Sequence, residues 1–212
     1  MIQDNTDLKL AIIQAGQWIS SRHWVPATGG NFSARTGQNT CFVTASGRHK
    51  GVLTESDLLE TSWHQSDLTC QGKPSAETLV HTQIYDLDQT VQVIFHTHSV
   101  NSTIFSRLIH QSSYCFNGYE MQKSISGNIT HDADLILPIV DNQQDMKILA
   151  SQIKKTWSEL TMPYAFLVRG HGMYVWGKNI QQALQHLEGW EFLIECELKR
   201  IELLNKMHPL KN

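Results

Sequence analysis

Apolar positions recur along this chain with two periods, and the alternation between them predicts the order of elements. Leu8, Ala11, Ile12, Ala15, Trp18 and Ile19 keep helical spacing after the capping-type residues Asn5, Thr6 and Asp7, so an amphipathic helix opens the chain and ends near Trp24-Val25-Pro26. A glycine turn, Ala27-Thr28-Gly29-Gly30, enters a strand at Asn31-Phe32-Ser33, and a second strand runs from Thr40 to Ser46-Gly47. Glu55-Ser56-Asp57 reads as a short helix or turn and residues 67–73 as a polar connection. Pro74-Ser75-Ala76-Glu77 starts a helix through Leu79, Val80, Ile84 and Tyr85, with Ser75 as N-cap. Residues 101–109 predict a helix that packs Ile104, Phe105 and Leu108, residues 134–140 a strand, and residues 142–160 an amphipathic helix. A strand pair follows at residues 164–176, and Asn179 caps a long last helix whose stripe includes Leu187, Trp190, Leu193 and Ile194. That stripe faces either the core or a neighbouring subunit. Strands and helices mixed in this order predict one three-layer α/β/α domain over residues 1–212, its central sheet mixed and largely antiparallel.

One strand departs from this pattern. In Val91-Gln92-Val93-Ile94-Phe95-His96-Thr97-His98 successive side chains point to opposite faces, so His96 and His98 share a face while Val91, Val93 and Phe95 take the other. Two imidazoles two residues apart on a stiff strand converge on one point, as a bound metal requires. The third ligand expected is His171, in Gly170-His171-Gly172 between two apolar runs of strand composition, where glycines let the backbone bend or approach closely. Spacing alone also admits another reading, in which these are ordinary polar residues at strand ends in a chain with 11 histidines.

Composition narrows the classes. Hydrophobic residues make up 41%, charged residues 17%, and the formal charge is -3, which argues against a general nucleic-acid binder. No apolar run is long enough to span a bilayer, and the acidic start lacks the basic and apolar regions of a signal peptide. Cys41, Cys70, Cys115 and Cys196 are far apart and form no C-x-x-C, so neither a disulfide framework nor a thiolate zinc cluster is expected. A reduced cytoplasm is the simplest home, and metal ligands must then be mainly histidine and carboxylate.

Two turns and two carboxylates complete the candidates. The turn into Asn31-Phe32-Ser33 and the Ser46-Gly47 strand end present small residues and backbone N–H groups that can form an anion nest, although each also reads as a plain hairpin turn. Glu77 falls in a first helical turn, where a carboxylate is favourable for electrostatic capping alone. Glu120 lies between Tyr119 and Met121, and bulky apolar neighbours can desolvate an acid and raise its pKa toward the range useful for proton transfer. An exposed surface position is the other reading of Glu120.

Gly30-Asn31-Phe32-Ser33, Ala45-Ser46-Gly47, Pro74-Ser75-Ala76-Glu77, His96-Thr97-His98 and Gly170-His171-Gly172 together resemble the class II aldolase/adducin family, in that order and over nearly the whole chain. The resemblance implies a class II aldolase-like fold and one Zn²⁺ per subunit on His96, His98 and His171. It also implies a phosphate pocket from Asn31, Ser46, Gly47 and Ser75, with Lys50 as a further contact, and Glu120 as the acid/base. The partners implied are a small sugar-phosphate substrate and further copies of the chain in a homotetramer, with neither nucleic acid nor membrane. Ala76 departs from the second serine common in the aldolase motif, which removes one phosphate hydroxyl. Tyr119-Glu120-Met121-Gln122-Lys123 and the run from His171 to Gly177 look most like the family's dehydratases, hydro-lyases acting on a ketose 1-phosphate. Glu77 matches the aldolase acid/base position, so aldol cleavage is the alternative. A non-catalytic adducin-like interaction module predicts loss of the ligand histidines, and all three are here.

Overall fold

The computed structural model describes residues 5–65, 67–159 and 164–207; the expectations placed on residues 1–4 and on Leu160 lie outside these. The opening pattern folds as α1 (Asn5–Ser21), with Leu8, Ile12, Ala15 and Ile19 on its buried face. The elements that follow are β1 (Asn31–Gly37), β2 (Thr40–Thr44), β3 (Leu58–His64), β4 (Asp67–Cys70), α2 (Thr78–Leu87), β5 (Val93–Thr97) and α3 (Val100–Leu108). Then come β6 (Ser113–Phe116), β7 (Leu135–Val140), α4 (Met146–Glu159), β8 (Ala165–Val168), β9 (Gly172–Gly177) and α5 (Ile180–Met207).

Among the described residues the strands form one sheet in the order β4-β3-β2-β1-β5-β9-β8-β7-β6. Only β7 and β8 pair in parallel; the other neighbours are antiparallel. Alternation along each strand then divides the core in two. Phe32, Phe95, Leu167 and Val175 face α1, α3 and α5, packing against Ile12, Phe105, Leu187 and Trp190. Ile94, Phe166, Tyr174 and Trp176 face α2 and α4, packing against Val80, Ile84, Leu149 and Ile153. Helices on both faces of a mostly antiparallel sheet are the expected α/β/α layering. Each fully buried aliphatic or phenyl side chain contributes roughly 1.5–3 kcal/mol by leaving water. The Phe32 and Phe95 rings also meet edge to face, 5.2 Å between centroids.

Three local expectations are corrected, and one left open is settled. Residues 67–70 are not a polar connection but the edge strand β4, hydrogen-bonded to β3. Ser75 is not the N-cap of α2; that position belongs to Glu77, whose backbone N–H donates to Ser75 Oγ at 3.3 Å. Phe105 is buried as expected, whereas Ile104 and Leu108 on the same helix are 46% and 49% exposed. The stripe of α5, left open between core and neighbour, packs Leu187, Trp190, Leu193 and Ile194 into the core.

Candidate metal and anion site

β5 runs through the middle of the sheet with β1 on one side and β9 on the other, and the register sets Asn31 and Tyr174 directly beside His96. Directly paired residues present their side chains to the same face. His98 lies just past the end of β5 and His171 in the turn that enters β9, so both come together with His96 at that end of the two strands. A Cβ on Gly29 would stand 2.8 Å from His98 Nδ1, so the missing side chain there gives His98 its place.

The three imidazoles meet. His96 Nε2 is 2.8 Å from His98 Nε2 and 3.3 Å from His171 Nε2. Glu77, from the N-terminus of α2, completes the group, with Oε2 at 3.3 Å from His96 Nε2 and Oε1 at 3.2 Å from His171 Nε2. One ligand atom from each of the four lies within 4.8 Å of all the others, so the group could hold a metal ion. The hydrogen bonds around it fit that use. His96 Nδ1 donates to the Met173 carbonyl at 3.0 Å, which leaves the Nε2 lone pair facing the cluster, and His171 Nδ1 is 3.3 Å from Asn142 Oδ1. Burial and the neighbouring imidazoles push His96 well below the usual histidine range and His98 down to about 4. Three imidazoles whose Nε2 atoms converge beside a carboxylate suit a divalent cation.

A cavity of about 440 Å³ adjoins the group and is lined by Asn31, Ser46, Gly47, Lys50 and Ser75, with Glu77, His98 and His171 on its wall. Every residue expected to hold phosphate therefore faces the same space as the histidines. The nest expectation changes in detail. The Ser46 and Ser75 N–H groups are taken by the carbonyls of Lys73 and Thr44, so these serines can offer hydroxyls rather than amides. Lys50 is buried, its Nζ donates to the carbonyls of Thr28 and Arg48 at 2.9 and 2.6 Å, and burial pushes its pKa down to about 8.

Glu120 stands apart. Tyr119 and Met121 turn inward against the core, and Tyr119 donates to Glu197 at 2.5 Å, so the residue between them turns outward. Its side chain is 71% exposed, 2.7 Å from Lys123 Nζ and 3.6 Å from His131 Nδ1. The Lys123 ammonium holds the Glu120 carboxyl below the usual range, the reverse of the desolvated, raised acid expected from its neighbours. Within its own chain Glu120 belongs neither to the histidine group nor to the cavity wall. The sequence reading also passed over Asn142, Gln143 and Gln144, which line the cavity from the loop after β7. A run of three amides closing an apolar strand was the available signal. That reading gave no role either to His81, which no motif marks, or to Ser33 and Tyr85, all three of which lie behind Asn31.

Fold and site together define a class II aldolase-type protein, and the chain belongs to that family: residues 10–198 match the Class II Aldolase and Adducin N-terminal domain. Its relatives include a protein of Serratia proteamaculans named methylthioribulose-1-phosphate dehydratase, 45% identical over 93% of this chain and 96% of that one. A Pseudomonas syringae pv. syringae protein of the same name is 43% identical over 94% and 98% of the two chains. In fold, the chain resembles L-fuculose-1-phosphate aldolase from Thermus thermophilus, with a TM-score of 0.76 at 23% identity over 94% of this chain and 98% of that one. The four cysteines are free, and no helix among the described residues is long and apolar enough to cross a membrane.

Proposed function

We propose that the chain is a hydro-lyase that dehydrates 5-methylthioribulose 1-phosphate to 2,3-diketo-5-methylthiopentyl 1-phosphate, a step of methionine salvage. It acts in the cytoplasm as a homotetramer. The observation that carries this reading is the meeting of His96, His98, His171 and Glu77 in one group, of which Glu77, His98 and His171 share a cavity wall with the candidate phosphate residues. The name shared by relatives at 43–45% identity supports the choice of substrate.

His96, His98 and His171 would hold Zn²⁺, with Glu77 beside them. When bound, Zn²⁺ supplies Lewis acidity to the substrate's C2 ketone, which acidifies the C3 proton. Asn31, Ser46, Gly47, Ser75 and Lys50 bind the C1 phosphate and so fix C3 relative to the histidines. Glu120 removes the C3 proton and passes a proton to the C4 hydroxyl as it leaves. The C3–H electron pair becomes the C3–C4 double bond, water departs, and the resulting enol rearranges to the diketone. An exposed Glu120 can do this by reaching the site of a neighbouring subunit, in keeping with the resemblance to a family whose sites lie near subunit boundaries. Glu77, enclosed by His96, His171 and Asn31, orients the metal group.

Aldol cleavage of a ketose 1-phosphate is the second reading, and the place of Glu77 among the histidines favours it. Incubation with methylthioribulose 1-phosphate and related ketose phosphates separates the two. An intact-carbon diketone phosphate is expected; glycolaldehyde-type fragments would sink the dehydratase reading. Mixed oligomers of Glu120→Gln and His98→Ala chains should regain activity that each parent lacks. No recovery from two inactive parents would remove the shared site, and an inactive Glu77→Gln beside a fully active Glu120→Gln would transfer the base to Glu77.

A further inference from the structure

Behind Glu77 runs a line of buried polar side chains of which the proposed reaction uses only the first, Asn31. Asn31 Nδ2 donates to Glu77 Oε2 at 2.5 Å, and Asn31 Oδ1 lies 2.5 Å from His81 Nε2. His81 Nδ1 lies 2.7 Å from Ser33 Oγ, which is 2.8 Å from the Tyr85 hydroxyl. Asn31, Ser33, His81 and Tyr85 are at most 2% exposed, so water does not compete for these bonds. Asn31 and Ser33 share a face of β1, and His81 and Tyr85 are one turn apart on α2, so two elements zip together through this line.

The direction of every bond follows from its last member. A carboxylate oxygen accepts, so Asn31 must present its NH₂ to Glu77 and keep Oδ1 as an acceptor. His81 must then carry its proton on Nε2. Burial pushes His81 down to about 4, so the ring is neutral at pH 7 and Nδ1 accepts from the Ser33 hydroxyl. Ser33 accepts in turn from Tyr85. Flipping the Asn31 amide would set its oxygen against the carboxylate and its NH₂ against His81 Nε2–H. Both contacts would then repel.

We propose that His81 is a positioning residue which, acting through Asn31, locks the Glu77 carboxylate in one orientation against the three imidazoles. This deepens the reading of that group as a metal centre and rests on it. Asn31 also lines the cavity, so the same lock fixes which end of its amide an anion there can meet.

Two measurements test the lock. Long-range ¹H–¹⁵N spectra of histidine-labelled, metal-free protein at pH 7, assigned against His81→Gln, should show His81 protonated at Nε2 and bare at Nδ1. The opposite tautomer overturns the proposal, whatever any variant does. Chelator competition for Zn²⁺ should then show His81→Leu weakened about 10–100-fold, the range for partners behind metal ligands. His81→Gln, which keeps a donor toward Asn31, should recover most of that affinity. Unchanged affinity in His81→Leu, or no recovery in His81→Gln, overturns it as well, and should His81→Leu fail to fold, the tautomer decides. Normal metal binding without dehydration would sink the proposed reaction and leave the lock standing.

Discussion

Gly172 lies against the carbonyl oxygen of Thr97, so close that a Cβ at residue 172 would overlap it. The contact falls where β5 and β9 pair, one residue from both His98 and His171. The absence of a side chain lets β9 approach β5 while the two histidines turn toward His96. Gly172→Ala must push the strands apart, and overpacking of this kind costs about 1–3 kcal/mol. We expect that loss in urea unfolding together with weakened metal binding. A variant as stable and as well metallated as the parent would show that the close approach is incidental.

Metal removal should be visible in stability as well as activity. A ligand that binds only the folded chain stabilises it by about 2.7 kcal/mol at a hundredfold excess over Kd. For a chain of this size that is roughly 5–10 °C in Tm. Chelation should therefore lower Tm by several degrees, and His171→Ala should show no further drop when chelator is added. Identical melting of the parent chain with and without chelator would remove the metal from the account.

Glu191 gives a pH dependence whose sign can be worked out. It is buried beneath the turn that follows His98, accepts a hydrogen bond from Ser99 at 2.9 Å, and burial pushes its pKa up to about 7 from an ordinary 4.5. Between those values the folded chain holds a proton that the unfolded chain has lost, so stability from this group falls as pH rises from about 4.5 to 7. The loss is on the order of 3 kcal/mol. Glu191→Gln should thus match the parent at pH 4 and exceed it by up to about 3 kcal/mol at pH 8 in urea unfolding. A difference between the two chains that does not change with pH would contradict this.

Lys50 should matter for phosphate more than for the fold. Two of its three N–H groups are committed to Thr28 and Arg48, which leaves one for an anion in the cavity. A hydrogen bond to a charged group is worth about 1.5–3 kcal/mol. Lys50→Met should accordingly raise KM for the phosphorylated substrate about 10–100-fold with a smaller change in kcat. Equal KM values would place the phosphate elsewhere.

The limits of the sequence reading follow from what is local. His96 and His98 share a site because strand alternation is a property of adjacent residues, and the flanking glycines marked His171 as able to join them. Glu77 and Glu120 could not be sorted in the same way. Each had a reading in its own neighbourhood, capping for one and desolvation for the other, and packing reversed their apparent standing. Glu77 is drawn among the imidazoles by the start of α2, whereas Tyr119 and Met121 use up the apolar environment that would have raised Glu120. The edge strand β4 was equally hidden, since Asp67-Leu68-Thr69-Cys70 is held by backbone bonds to β3 and not by an apolar face.

Periodicity, then, was enough to order helices and strands, to predict three layers, and to put two histidines on one face, because each depends on residues close in the chain. The tertiary structure alone decided that β5 lies between β1 and β9, that Glu77 rather than Glu120 closes the group within one chain, and that His81 reaches Glu77 through Asn31. Those outcomes depend on distances between segments far apart in sequence. They are set by how side chains share the limited space between helices and sheet, which no local pattern encodes.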